Sequence, residues 1–145
     1  MTLRRFLQSE RGQGLVELTL LLPVVTLLLL GVMEGGRIFS SYIELENAAR
    51  EGARYASINC TTMAVPGEQV PAWTASTLAP WLASRLSSLS PGSLVVELSR
   101  ESSGDGSEVW VDLSLQYPLE IVTPVISSLT GNPLNLRSRM VMRGE

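Results

Sequence analysis

Histidine and lysine are absent from this 145-residue chain, all eleven basic residues are arginine, and cysteine occurs once, at Cys60. A single cysteine excludes an intrachain disulfide. Without histidine, neither a Cys/His zinc site nor a Ser-His or Cys-His nucleophilic pair can be assembled. The lack of lysine removes another candidate base, and the many serines are not accompanied by a glycine-rich nucleophile elbow. Aspartate occurs only at Asp105 and Asp112, read as a turn and a strand residue, with no second member of a catalytic motif. Asp105-Gly106 with Glu101 and Glu108 lacks the spaced oxygen ligands of a calcium loop and reads as a turn. Cys60 reads as a loop thiol. The expectation is therefore a protein that is not an enzyme, with no catalytic residue, cofactor, metal or small-molecule substrate. Charge is also sparse, at 17% of residues with a net of −3. Residues 35–145 carry eight arginines against eleven acids, so the basic patch expected of a nucleic-acid binder is missing and no nucleic-acid partner is expected.

What the chain has instead is apolar residues, 45% of the total and unevenly placed. Leu18 to Met33 are sixteen residues without a charge, half of them leucine. Arg4, Arg5 and Arg11 precede this run and favour retention of that end in the cytoplasm. A helix from Gly14 to Gly35 would rise about 33 Å, against a bilayer hydrocarbon core of about 30 Å. A secretory signal fits poorly, because Gly31-Val32-Met33-Glu34-Gly35-Gly36-Arg37 offers no Ala-x-Ala-like cleavage site. The reading is a cytoplasmic leader over 1–12, a membrane helix over 13–36, a juxtamembrane helix over 37–58 and an extracytoplasmic domain over 59–145. Glu17 is the anomaly, a carboxylate at the start of a lipid-facing helix, where burial of its charge is costly.

One long helix from about Gln13 to Ser57 is expected, with a kink near Pro23, which lacks an amide hydrogen. Ile38, Tyr42, Leu45, Ala49, Gly52 and Ala56 recur at steps of four and three, as in a helix seam. The small residues Ala48, Ala49, Gly52, Ala53 and Ala56 would let another backbone approach closely, either the protein's own sheet or a neighbouring subunit. Beyond, Asn59–Pro71 reads as a loop and Ala72–Ser90 as helical, with Pro80 starting or breaking it and Trp73 and Trp81 as core or interface anchors. Leu94–Ser99 and Glu108–Tyr117 read as the strands of a hairpin. A short helix from Pro124, lying on the sheet, and a last strand after Asn132-Pro133 complete the domain. That strand puts Leu134, Leu136, Ser138, Met140 and Met142 on one face and Arg137, Arg139 and Arg143 on the other. The fold class is α+β, a long N-terminal helix packed on a small antiparallel sheet.

Several of these segments resemble a known family. Gly12-Gln13-Gly14-Leu15-Val16-Glu17, continued by an apolar helix with an early proline, resembles the processing site of type IV pilin-like proteins. Glu34-x-Gly36-Arg37 and Asn47-Ala48-Ala49-Arg50-Glu51-Gly52-Ala53-Arg54-Tyr55-Ala56 resemble the signature of the TadE-like family, pseudopilins of the tight-adherence (Tad, or Flp) pilus machinery. The resemblance covers residues 9–58 closely, and Val111–Pro118 and Arg137–Glu145 more loosely. It implies a pilin-like fold in the bacterial cytoplasmic membrane, cut by a prepilin peptidase between Gly12 and Gln13. It also implies a structural role as a minor pseudopilin in pilus assembly, with other pilin or pseudopilin subunits and Tad membrane components as partners. Cleavage would leave a new amine four residues before Glu17, so that Glu17 could pair with the amine of a neighbouring subunit. The alternative is an unprocessed, single-pass adaptor displaying a binding module outside the membrane.

Overall fold

The computed structural model of the protein describes residues 10–62, 69–102 and 108–144 and, of these, the side chains of 13–59, 69–101 and 108–144. One helix dominates. Helix α1 (Glu10–Thr62) is continuous over 53 residues and runs through Pro23 without a break. Thr19 and Thr26, polar residues in an apolar stretch, satisfy their hydroxyls internally by donating to the Leu15 and Leu22 carbonyls at 2.7 and 2.8 Å. The helix outlasts its expected end because Asn59, anticipated in a loop, donates from Nδ2 to the Tyr55 carbonyl at 2.9 Å and so satisfies its amide within the helix.

The two halves of α1 have opposite surroundings. No side chain of its apolar window is buried, and Leu20, Leu28 and Leu29 are about two-thirds exposed. From Ser41 onward one stripe is covered: Ser41, Leu45, Ala48, Ala49, Gly52, Ala53, Ala56 and Ser57 are all buried. Tyr42, expected on this seam, faces outward and is 41% exposed. The stripe passes through Ser41 because 3.6 residues per turn carries Tyr42 about 100° away from it.

Strands β1 (Val95–Ser102), β2 (Val109–Leu119) and β3 (Leu134–Arg143) form an antiparallel sheet in the order β1-β2-β3. The hairpin register pairs Leu98 with Leu113, and the second ladder pairs Leu113 with Met140. Strict alternation along β2 buries Val111, Leu113, Leu115, Tyr117 and Leu119, placing these side chains on one face of the pleat. That face lies on the small-residue stripe of α1, and the two form one core with Leu78, Leu82 and Leu136. Pro118 is tolerated in the central strand because it lies beyond Gln116, the last residue paired with β1. On the outer face, Arg137 donates to Gln116 at 3.1 Å, and Arg139 Nε donates to both carboxylate oxygens of Asp112 at 3.0 Å.

The segment before the sheet is less regular than its spacing predicts. Helix α2 (Val70–Trp73), a π-helical turn (Thr74–Leu78) and α3 (Ala79–Ala83) follow one another, and the helix stops seven residues short of Ser90. Pro80 lies in the first turn of α3, one of the two places expected for it, directly after the π-helical turn. It has no amide to return to the preceding turn, and the wider turn in front of it accommodates that deficit. The helix ends where an acid from α1 intervenes. Glu44 accepts from the amides of Ser87 and Ser88 at 2.5 and 3.1 Å and from both their hydroxyls. Helix α4 (Pro124–Thr130) has no buried residue and does not lie on the sheet as expected. The buried residues here are Ile121 and Thr123, just before it.

Gly52 marks the closest approach of helix and sheet. A Cβ there would sit 2.8 Å from Leu113 Cδ2 and 2.9 Å from Leu82 Cδ2, and both leucines are fully buried. Gly52→Val should therefore destabilise the folded domain by about 1–3 kcal/mol through overpacking. Gly36→Ala meets open space and should leave stability equal or higher, because alanine favours a helix by roughly 1 kcal/mol. Thermal unfolding of the detergent-solubilised variants checks both, and equal melting of Gly52→Val and wild type would contradict the packing.

Candidate functional site

Where α1 leaves its apolar stretch, a charged group is buried. Glu34 retains only 3% of its exposure, against 39% for its partner Arg37 one turn on. Arg37 donates from Nε and Nη2 to Glu34 Oε1 at 3.2 and 2.6 Å. The other donors come from far along the chain. Thr123 Oγ1 donates to Glu34 Oε2 at 3.2 Å, and the Val122 amide reaches Oε1 at 3.4 Å. Arg37 Nη2 also donates to the Glu120 carbonyl. Residues 120–123 are thus clasped to the top of the apolar helix through one carboxylate and one guanidinium. Ile121 is fixed in turn by its amide, which donates to Asn132 Oδ1 at 3.0 Å.

A carboxylate buried at this depth is costly unless each oxygen is satisfied by hydrogen bonds. Here both are, and among the described residues no buried side-chain nitrogen or oxygen lacks a partner. Beside the clasp an open groove runs between α1 and the 88–93 segment, lined by serines with Arg37 at one side. At its edge the Ser90 amide donates to the Tyr117 hydroxyl at 3.1 Å. Further out, Tyr55 stacks on Trp81 with ring centroids 4.4 Å apart, and the Arg85 guanidinium lies 4.6 Å over that indole while pairing with Glu51 at 2.9 Å. Trp73 and Trp81 are half-buried, neither wholly core nor free surface. Among the described residues no three His, Cys, Asp or Glu side chains are grouped to hold a metal ion.

The residues singled out in the sequence fall into three places. Gly12 and Gln13 lie on α1, and the leader before Glu10 is outside the described residues. Glu17 is exposed on the apolar half of the helix, and nothing described pairs with it. Glu34 and Arg37 meet in the clasp, whereas Gly36 points into open space. Ala49, Gly52, Ala53 and Ala56 lie under the protein's own sheet. The side chain of Cys60 and the 103–107 turn with Asp105 are outside the described residues. Glu120, Val122 and Thr123, and the Glu44 clamp, were not anticipated. The Glu34-Arg37 spacing was visible locally, but partners more than eighty residues away leave no local pattern.

Two carboxyls of the outer domain sit below their ordinary values. Burial pushes the Glu44 carboxyl up, but the hydroxyls and amides of Ser88 and Ser87 together outweigh it. The Arg139 guanidinium holds Asp112 down, against a smaller effect of burial. A lowered folded value means stability that is present above the unfolded value, near pH 4, and lost as pH falls through the folded one. The midpoint of chemical denaturation should fall between about pH 5 and pH 2, and Glu44→Gln should flatten that acid limb. An unchanged acid limb in Glu44→Gln would show that the clamp does not contribute.

An exposed apolar stretch long enough to cross a membrane thus continues as the spine of a small antiparallel α+β head. Residues 12–54 match the family model described as TadE-like protein. The match covers the apolar half of α1, Glu34 and Arg37 of the clasp, and most of the small-residue stripe. No curated protein and no solved structure matches the chain.

Glu34→Gln retains the side-chain shape and removes the charge. Amide hydrogen exchange at Val122 and Ile121 should accelerate, while Leu113 and Leu115 in the sheet centre keep their protection. Unchanged protection at Val122 would show that the carboxylate does not hold the 120–123 segment.

Proposed function

We propose that this protein is a minor pseudopilin, anchored in the bacterial cytoplasmic membrane with its N-terminus inside, that is processed between Gly12 and Gln13 and serves assembly of Tad-type pili. The observation that carries the proposal is the match of residues 12–54 to the TadE-like family, placed on a helix whose apolar half is wholly uncovered and whose other half is packed on its own domain. Lipid or neighbouring helices must cover the first half, and a pilin-like subunit meets both in turn.

Glu17 supports the same reading. It lies on the exposed apolar stretch, so its charge needs a partner from another molecule once water is excluded. Removal of the leader would create a positive amine at Gln13, and the amine of an adjacent subunit would neutralise Glu17 and set the axial register of the helices. The bulk of the outer domain fits a minor subunit better than a short helical major pilin.

Intact mass of the membrane-extracted protein, from cells with and without the prepilin-type peptidase, tests the processing step. A peptidase-dependent loss of the first twelve residues is expected. Full-length mass in both strains would favour an uncut, single-pass adaptor. In the processed protein, Glu17→Leu should leave membrane insertion intact and reduce co-purification with pilus components; unchanged assembly would remove Glu17 from the mechanism.

A further inference from the structure

The apolar surface of this protein does not end with α1. Val122 is 74% exposed, Val125 49% and Leu129 82%, at spacings of three and four that put Val125 and Leu129 on one side of α4, with Val122 just ahead of its first turn. The surrounding stretch, Ile121 to Leu136, contains no charged residue in sixteen positions, although acids and arginines are spread over the rest of the domain. Position distinguishes this patch from scattered surface apolar residues. The clasp ties the Val122 amide and the Thr123 hydroxyl to Glu34, and Glu34 follows directly on the exposed apolar run that ends at Met33.

We infer that α4 with Val122 is a second membrane contact, a short interfacial element whose Val122, Val125 and Leu129 side chains enter the outer leaflet beside α1. This rests on α1 spanning the membrane. From Gln13 to Glu34 the helix rises about 32 Å, which sets Glu34 at the outer boundary of a hydrocarbon core of about 30 Å. Seven residues of α4 extend only about 10 Å from that level, comparable with the depth at which interfacial helices seat their apolar faces. A lipid surface suits a patch that carries no charge, that no described element covers, and that adjoins an exposed apolar span. Arg37, partly exposed at the same level, would sit among the headgroups. Two attachments, α1 and α4, would fix the tilt of the sheet above the bilayer, whereas one helix alone would leave the domain free to rotate about its axis.

Full-length protein in liposomes, in a Cys60→Ser background, tests this with an environment-sensitive fluorophore on single cysteines. Leu129→Cys is the probe, Leu28→Cys the lipid-facing control, and Val141→Cys, on the outer face of β3, the aqueous control. The Leu129 label should emit blue-shifted relative to the Val141 label and be quenched by lipids spin-labelled near the headgroup. Emission matching the Val141 label, while the Leu28 label is quenched by deeper spin labels, would overturn the proposal. A blue-shifted Leu129 label that lipid cannot quench would overturn it in favour of a protein partner on α4. Failure of the Leu28 label to be quenched would overturn the membrane reading of α1, and this proposal with it.

Discussion

A single carboxylate joins the uncovered apolar half of α1 to the folded domain packed on its other half. Glu34 stands at the last turn of the apolar helix, and its two oxygens accept from Arg37, Thr123 and the Val122 amide. An unpaired charge at that level would pull the helix end toward water. Paired, it becomes a fixed point to which the domain's own chain is tied eighty-nine residues later, at Thr123. The link between β2 and α4 is thereby held against the helix, and the sheet cannot swing freely about α1.

Above the clasp, stability comes from smallness. A helix lined with Ala48, Ala49, Gly52, Ala53 and Ala56 has little side-chain surface of its own to bury, so its hold on the sheet comes from close approach. Leu82 and Leu113 fill the space over Gly52. The same helix therefore has two kinds of surface: large exposed leucines along its apolar half, and almost bare backbone where it meets its own sheet. Glu44 adds a lateral brace, holding the 84–90 segment to the helix through amides that would otherwise continue α3.

The long helix, the alternation of β2 and the position of the last strand were legible because each rests on local periodicity. Leu113 buried beside Ser114 half-exposed follows from the two-residue repeat of the pleat. Periodicity reached the seam of α1 but misplaced it at Tyr42, where a heptad-like count and the true 3.6-residue turn diverge. It failed at Ala72–Ser90, where helical spacing persisted past Ala83 but the backbone was claimed by Glu44. It failed again at α4, whose apolar residues suggested a place in the core. The core was already filled by β2 and the α1 stripe, and the clasp holds the start of α4 outside it. The family resemblance rested on Glu34-x-Gly36-Arg37 and the alanine-rich run, and the segment matching the family contains the first and the second as far as Arg54. What those residues do in three dimensions depends on partners in the second half of the chain, which no local pattern discloses.

The central claim is that α1 crosses the membrane once and emerges between Met33 and Arg37. In spheroplasts, with Cys60→Ser as background, a membrane-impermeant maleimide tests it directly at Thr26→Cys and Ser40→Cys. Ser40→Cys should label from outside in intact spheroplasts, and Thr26→Cys only after solubilisation. Ready labelling of Thr26→Cys in intact spheroplasts, or labelling of Ser40→Cys only after the membrane is opened, would contradict the placement of the span and the orientation of the domain.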